Sequence, residues 1–300
     1  MKHLVIGAGQ IGPHVARQLA ESGQAVTVAT RSGRGPAGLT NISLDASDGT
    51  ALRAALEDVD VLHLCLHASA YRDDVWRREL PSLERTVLDA AAATGTTVVF
   101  PESLYAFDAS APIGTSSRIA PRSPLGEVRR TLLDQRAASA ATTVSVVAGD
   151  YVGPGANQSH AGPRMWEPAI AGKTVRPVGL VDVVHPWTYL PDLAATMVAA
   201  AARPTAPVVI APAVHASQRE LVEAFAAAGG VDVPRISPVP MWVMRAIGAA
   251  HRETRTIAQT GYLFTQPVRM DFTSTRDELG IDATPLDVVA KATISQPSAG

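Results

Sequence analysis

The stretch that decides the fold is HLVIGAGQIGP, residues 3–13. Residues 3–6 read as a short buried strand. Residues 11–22 read as a helix, with Val15, Ala16 and Leu19 on one face and Gly23 ending it. Between them Gly7, Gly9 and Gly12 form G-x-G-x-x-G, a pattern that gains specificity from a strand before it and a helix after it. Gly7 permits a tight turn, Gly9 lets backbone approach a pyrophosphate, and Gly12 lets helix and strand pack closely. The helix N-terminus turns free amides toward an anion. Pro13 costs little in the first turn because its missing N–H would have no partner there. Gln10 and Ile11 complete the loop and are expected among the cofactor contacts. The alternative is a glycine-rich turn without a ligand.

Working outward, short apolar runs alternate with helical patterns. Strands are expected at 25–30, 41–44, 59–66, 96–100, 142–148 and 207–210, and helices at 48–56, 73–94 (bent near Pro81) and 126–140. Strands apolar on both faces, separated by amphipathic helices, mean a parallel sheet covered on both sides. Residues 151–188, rich in Gly and Pro, read as an excursion from the sheet, and after Ala216 proline clusters split the helices. The expected fold class is α/β: a doubly wound, Rossmann-type parallel sheet with a smaller, mostly helical C-terminal substrate lobe. The core would span 1–150, with 181–214 returning to it, and the lobe 151–180 and 215–300.

The end of the second strand normally carries an acidic residue for the ribose of NAD. Here Thr30-Arg31-Ser32-Gly33-Arg34 stands instead, and the next acidic residue after Glu21 is Asp45. A cation with a hydroxyl suits a 2′-phosphate. Arg31, Ser32 and Arg34 therefore point to NADP(H), against the plainer reading of solvated loop charges. Asp45 and Ala46 follow the third strand, where a carboxylate either meets the adenine or caps the next helix. Cys65 and Leu66 end the fourth strand at the cofactor edge. Cys65 itself reads as a small buried apolar residue rather than a nucleophile.

Composition narrows the classes. The chain has 300 residues, 46% hydrophobic and 18% charged, with a net charge of −2, which leaves no basic footprint for nucleic acid. A single cysteine excludes an internal disulfide and a multi-cysteine metal site. The eight histidines show no i, i+4 spacing on a predicted helix. No run of eighteen apolar residues and no signal peptide is visible, so a soluble cytoplasmic protein is expected. Only Lys2, Lys173 and Lys291 are lysines, so any mechanism that needs one has three candidates.

The N-terminal G-x-G-x-x-G, VVFPESLYAF (98–107), VSVVAGDYVGPG (144–155), HPWTYLPDLA (185–194) and the late DFTSTRDELGIDATPLDVV (271–289) together resemble the extended short-chain dehydrogenase/reductases, and among them the atypical members of the NAD-dependent epimerase/dehydratase group. The resemblance runs over nearly the whole chain. It implies a Tyr-x-x-x-Lys pair on the helix after the fifth strand, the tyrosine moving a proton and the lysine lowering its pKa. None of Tyr71, Tyr105, Tyr151, Tyr189 and Tyr262 has a lysine four residues later. In the best-matching stretch Leu125 and Arg129 take the two places, and Leu125 cannot move a proton.

The resemblance then makes Ser103 the strand-end hydroxyl, with Tyr105 beside it as either a substitute acid or a pocket wall, and Arg129 the nearby cation. Glu102 is either a titratable group near the cofactor or a salt-bridge partner. Tyr151 falls near the nicotinamide. His185 makes either a substrate contact or a structural hydrogen bond, and Asp192 reads as a helix N-terminal residue. A homodimer through the helices at 73–94 and 126–140 is implied. The expected function is an NADP(H)-dependent oxidoreductase or epimerase-like enzyme with a non-standard site, acting on a small carbonyl or alcohol. A non-catalytic, redox-sensing NADP(H)-binding protein is the alternative. Neither nucleic acid nor membrane is an expected partner.

Overall fold

The computed structural model describes residues 1–204 and 206–296; Thr205 and residues 297–300 of the expected segments lie outside the described residues. Seven strands make one parallel sheet: β1 (Lys2–Ile6), β2 (Ala25–Thr30), β3 (Thr40–Ser43), β4 (Val61–Leu64), β5 (Thr97–Ser103), β6 (Thr143–Ala148) and β9 (Val208–Ile210). Their order is β3-β2-β1-β4-β5-β6-β9, so the strand order reverses between β1 and β4. That reversal opens a crevice at the carboxyl edge, the position at which such sheets bind ligands.

Period-two alternation divides the core. Val5, Val61 and Val99 face helices α1 (Gly12–Glu21) and α6 (Leu190–Ala202), where Val15, Leu19, Leu193 and Met197 are buried. Leu4, Ile6, Leu62, Val98 and Phe100 face the other way, onto α2 (Gly49–Leu56) and α3 (Asp73–Thr94). Helix α3 is assigned without interruption through Pro81. Helix α4 (Pro124–Ala138) begins two residues before the expected start, because the Ser123 hydroxyl accepts from the Gly126 amide and Pro124 is preorganised for the first turn.

A second, three-stranded sheet holds β7 (Asp150–Val152), β8 (His185–Tyr189) and β10 (Val214–Ala216) in the order β10-β8-β7. Within 181–214, then, α6 and β9 rejoin the main layers, while β8 pairs in the small sheet. The chain leaves the main sheet at Gly149, where a Cβ would lie 2.2 Å from the Pro186 carbonyl oxygen. Glycine lets β8 come this close. The small sheet packs with α5 (Pro163–Ile170), α7 (Gln218–Ala228) and α10 (Leu286–Ile294) around Trp166, Trp187, Phe225 and Phe264. Helices α8 (Met241–Ala250) and α9 (Arg252–Thr260) form a hairpin beside α4. Among the described residues no helix is long and apolar enough to cross a membrane.

Candidate active site

The carboxyl edge begins with backbone. Gly7 has φ +108°, and a Cβ there would lie 2.5 Å from the Cys65 carbonyl oxygen; one on Gly12 would lie 1.9 Å from the Gly7 carbonyl oxygen. Both positions are closed to any side chain. Gly9 differs: no atom lies within 4 Å of the position its Cβ would take. The N-terminus of α1 has no side-chain cap, and among the described residues the amides of residues 8–12 have no hydrogen-bond partner. Helices α2 and α7, by contrast, are capped by Asp48 and by a Ser217–Glu220 capping box. Bare amides at a helix mouth, with open space beside Gly9, fit the diphosphate of a nicotinamide dinucleotide.

Beside this mouth the turn after β2 is fixed by Thr30 Oγ1 donating to the Arg34 carbonyl (2.8 Å) and Ser43 Oγ donating to the Arg31 carbonyl (2.9 Å). Arg31, Ser32 and Arg34 are exposed, and among the described residues neither guanidinium pairs with a carboxylate. Asp45 does not cap α2; Asp48 does. Asp45 Oδ1 instead accepts from the Ser47 amide and hydroxyl (2.9 and 2.7 Å), and these bonds hold its carboxyl below the usual range. Ala46 is buried behind it. Cys65 and Leu66 lie against Gly7, and burial pushes the Cys65 thiol up to about 12, which makes it inert as a nucleophile. The loop after β7 crosses in front. The Gln158 amide donates to Gln10 Oε1 (3.0 Å), His14 Nε2 donates to the Pro154 carbonyl (2.8 Å), and the Gly155 amide donates to Gln296 Oε1 (2.8 Å).

Toward β5 and β6 the edge is made of side chains. Leu125 is fully buried with Trp76, Leu80 and Leu132 between α3 and α4. Four residues on, Arg129 stays on the same helical face and reaches the edge. Its guanidinium stacks over Trp76 at 4.7 Å, and its Nε lies 3.4 Å from Glu102 Oε1. Glu102 is a salt-bridge residue: its other oxygen accepts from Arg136 Nη1 (2.8 Å), while Arg136 binds Glu84 through two bonds (2.6 and 2.8 Å) and the Ser145 hydroxyl at 3.1 Å. Ser103 donates its amide to Glu102 Oε1 (2.6 Å).

Tyr105 follows at once. A Cβ on Gly126 would lie 2.3 Å from the Tyr105 carbonyl oxygen, so that glycine lets α4 press this turn into place. The half-buried Tyr105 hydroxyl is 2.9 Å from the Tyr71 hydroxyl. Burial, then the charges of Tyr71 and Asp150, push the Tyr105 phenol well above its ordinary value. Burial also raises Tyr151, which stands on β7 next to Asp150. Burial acts to raise the Asp150 carboxyl, but the hydrogen bond to His185 together with the charges of His185 and His160 holds the group below its usual range. His185 Nε2 lies 2.7 Å from Asp150 Oδ2, Nδ1 donates to the Leu263 carbonyl (3.2 Å), and the ring stacks on Phe264. His185 thus makes structural hydrogen bonds. Asp192 stands in the first turn of α6 and accepts from Thr284.

The structure therefore brings Ser103, Tyr105, Arg129 and Tyr151 to one end of the crevice and the glycine loop to the other. Sequence reading missed Tyr71, Trp76 as the seat of Arg129, and the Asp150 carboxylate. Tyr71 had a usable signal: it stands in the loop after β4, at the same edge as Cys65 and Leu66. Among the described residues no group of three His, Cys, Asp or Glu is placed to hold a metal ion.

Fold and edge together define a Rossmann-type α/β protein with a second lobe. Residues 3–211 match the NAD dependent epimerase/dehydratase family, and the chain belongs to that family of enzymes. No curated protein matches the chain. Among solved structures it is similar to the UDP-N-acetylglucosamine 4-epimerase of Bacillus cereus (13% identity, 100% of this chain and 99% of that one, TM-score 0.77). A GalE-like L-threonine dehydrogenase from Cupriavidus necator is similar at 19% identity (99% and 100%, TM-score 0.77). So is the UDP-glucose 4-epimerase of Thermus thermophilus, solved with NAD, at 17% identity (98% of each chain, TM-score 0.76). At these identities the likeness is one of fold.

Proposed function

We propose that the chain is an NADP(H)-dependent oxidoreductase of this family, acting on a small carbonyl or alcohol, with a phenol–guanidinium site in place of Tyr-x-x-x-Lys. The observation that carries the reading is the meeting, at one sheet edge, of the Tyr105 hydroxyl pair and the Arg129 guanidinium with the uncapped amides of the glycine loop. The loop residues Gly7, Gly9, Gln10, Ile11 and Gly12 would hold the diphosphate, with Cys65 and Leu66 behind it and Ala46 and Asp45 toward the adenine. Tyr151 would border the nicotinamide. Arg31, Ser32 and Arg34 would take a 2′-phosphate, because the turn offers two free guanidiniums and no carboxylate where NAD would need one. When bound, the nicotinamide supplies or accepts the hydride.

The protein's own part is acid–base and electrostatic. The Tyr105 hydroxyl would donate to a substrate oxygen; burial raises its phenol, so the proton would leave only as the oxyanion develops beside Arg129. Arg129, held between Trp76 and Glu102, presents a fixed positive charge to the oxyanion that develops. Ser103 supplies a second hydroxyl at the strand end. The lobe formed by 151–180 and 215–300 would hold the substrate against this edge. The named neighbours include proteins acting on UDP-sugars, so a nucleotide sugar belongs in any substrate panel. A homodimer through α3 and α4, and a cytoplasmic site of action, complete the reading.

The test is turnover. Purified protein given NADPH and a panel of carbonyl compounds oxidises the cofactor if the reading holds. Tight NADPH binding without oxidation across the panel would overturn it in favour of a redox-sensing binding protein, the reading that the missing Tyr-x-x-x-Lys pair favours.

A further inference from the structure

We infer that the substrate is a 2-oxo acid, or in the other direction a 2-hydroxy acid, whose carboxylate and neighbouring oxygen are both held by the Arg129 guanidinium. The inference rests on the oxidoreductase reading above and names the substrate class of that same site.

Arg129 has no hydrogen-bond partner in the protein. Among the described residues Glu102 is the one carboxylate within ion-pair reach of it, and Glu102 is already engaged. Its Oε1 accepts from the Ser103 amide (2.6 Å) and its Oε2 from Arg136 Nη1 (2.8 Å). Arg129 Nε lies 3.4 Å from Oε1 without forming a hydrogen bond, and it is buried. Nη1 and Nη2 also lack a partner among the described residues, but unlike Nε they remain open to solvent. The side chain is only 11% exposed, yet all five N–H donors of its guanidinium are unsatisfied. A cation so far removed from water and left without acceptors is completed by an acceptor from outside.

The place of the two open nitrogens is fixed by what surrounds them. The guanidinium lies over Trp76 at 4.7 Å. Around the same ring stand His67 at 4.7 Å, Tyr71 at 5.5 Å and Tyr105 at 6.4 Å, which follow the carboxyl ends of β4 and β5. The cation therefore stands at the carboxyl edge, beside the hydroxyl pair. It is also the outer end of a ladder of alternating charges, Glu84, Arg136, Glu102 and Arg129. The ladder is neutral as a whole, and the next place in the alternation suits an anion.

Shape and charge choose the anion. A guanidinium presents parallel N–H groups in one plane and matches two oxygens in that plane. A simple ketone or aldehyde offers one oxygen and leaves a nitrogen bare. A 2-oxo acid offers two on one edge. One nitrogen then meets the oxygen on which charge develops, and the other meets a carboxylate that is charged from the start. A phosphate dianion suits the place less well, because Glu102 already adds negative charge behind Arg129. In reduction the C2 carbon takes a hydride, whose two electrons come from NADPH, which is oxidised. The C2 oxygen takes the Tyr105 proton, which water restores, and the carboxylate is unchanged.

The test uses the full chain with NADPH. Phenylpyruvate, 2-oxobutanoate and 4-methyl-2-oxopentanoate are compared with their methyl esters and with dihydroxyacetone phosphate. At least one acid is expected to react with a kcat/KM about a hundredfold or more above that of its ester. Oxamate, which carries the same two oxygens on one edge and is not reduced, is expected to bind the NADPH complex in calorimetry. Arg129→Lys, which keeps the charge and loses the fork, is expected to weaken oxamate about tenfold or more while NADPH affinity stays within about twofold of wild type. Esters that react as well as the acids, or a preference for dihydroxyacetone phosphate, overturn this inference and leave the oxidoreductase reading standing. If NADPH binds and no compound oxidises it, the oxidoreductase reading falls, and the oxamate titration decides the acid site by itself. Absence of oxamate binding, or equal binding by Arg129→Lys, overturns that site.

Discussion

Along the carboxyl edge of the sheet, the half over β1 and β2 is made of backbone and the half over β5 and β6 of side chains. The first holds three glycines, an uncapped helix and an exposed turn. The second holds two tyrosines, an arginine and a carboxylate locked together by aromatic stacking and ion pairs. The sheet beneath each half repeats the contrast. Under β1 and β4 lies the neutral His3–His63 pair, 3.2 Å apart, with His63 Nδ1 buried and unpartnered. Under β5 and β6 lies the charged network of Glu84, Arg136 and Glu102. Charging either histidine puts an unpaired charge in a desolvated site, and charging both sets like charges together. Arg136 has two carboxylates and a hydroxyl, so its charge is satisfied. The first half leaves its amide donors bare, and the second holds its cations against carboxylates.

The comparison breaks most readily at Arg136. Arg136→Met leaves the buried Glu84 carboxylate unpaired and Glu102 with only Arg129 and the Ser103 amide, and is expected to cost about 4 kcal/mol in chemical denaturation. A loss below about 1 kcal/mol would mean that the network does not support this half. The neutral pair answers to acid. Burial, with the His3 charge, lowers His63 to about 3, below its ordinary 6.5. The unfolded chain therefore binds the extra proton between those values, and stability, complete above pH 6.5, falls as pH drops toward 3. The slope is on the order of 1 kcal/mol per pH unit. His63→Leu should flatten that acid limb in a denaturation series, and an unchanged limb would show that other groups set it.

The glycine loop gives a sharper pair. Gly12→Ala forces a Cβ onto the Gly7 carbonyl and is expected to destabilise the fold by about 1–3 kcal/mol. Gly9→Ala meets no atom of the protein and should leave thermal stability within about 0.5 kcal/mol while weakening dinucleotide binding. Equal effects of the two on stability would refute the view that Gly9 is kept for a ligand. The smallest effect falls on the turn after β2. Arg31→Asp is expected to weaken NADPH about tenfold or more and NADH little, a ratio that calorimetry reads directly. An equal loss for both cofactors would remove the 2′-phosphate assignment.

Local pattern made the backbone half legible. G-x-G-x-x-G between a strand and a helix constrains neighbours in sequence, and Gly12 is closed by the carbonyl of Gly7 within the same motif. The parallel, doubly wound sheet followed from the alternation of apolar runs, while its strand order did not, and Ser103, Tyr105 and Arg129 were reached through family likeness. The side-chain half stayed hidden because its partners are far apart in the chain. Tyr71 and Tyr105 are 34 residues apart, Arg136 and Glu84 are 52, and Asp150 and His185 are 35. Nothing in a local window says that Trp76, one more apolar residue on a helix face, will seat a guanidinium.

By itself, then, the sequence determined the doubly wound sheet and the glycine turn that opens α1, because each is a matter of residue type at short spacing. Only the tertiary structure decided which side chains meet at the other half of the edge: Tyr71, Tyr105 and Arg129 come from separate elements and share Trp76 as a neighbour only when α3 and α4 pack.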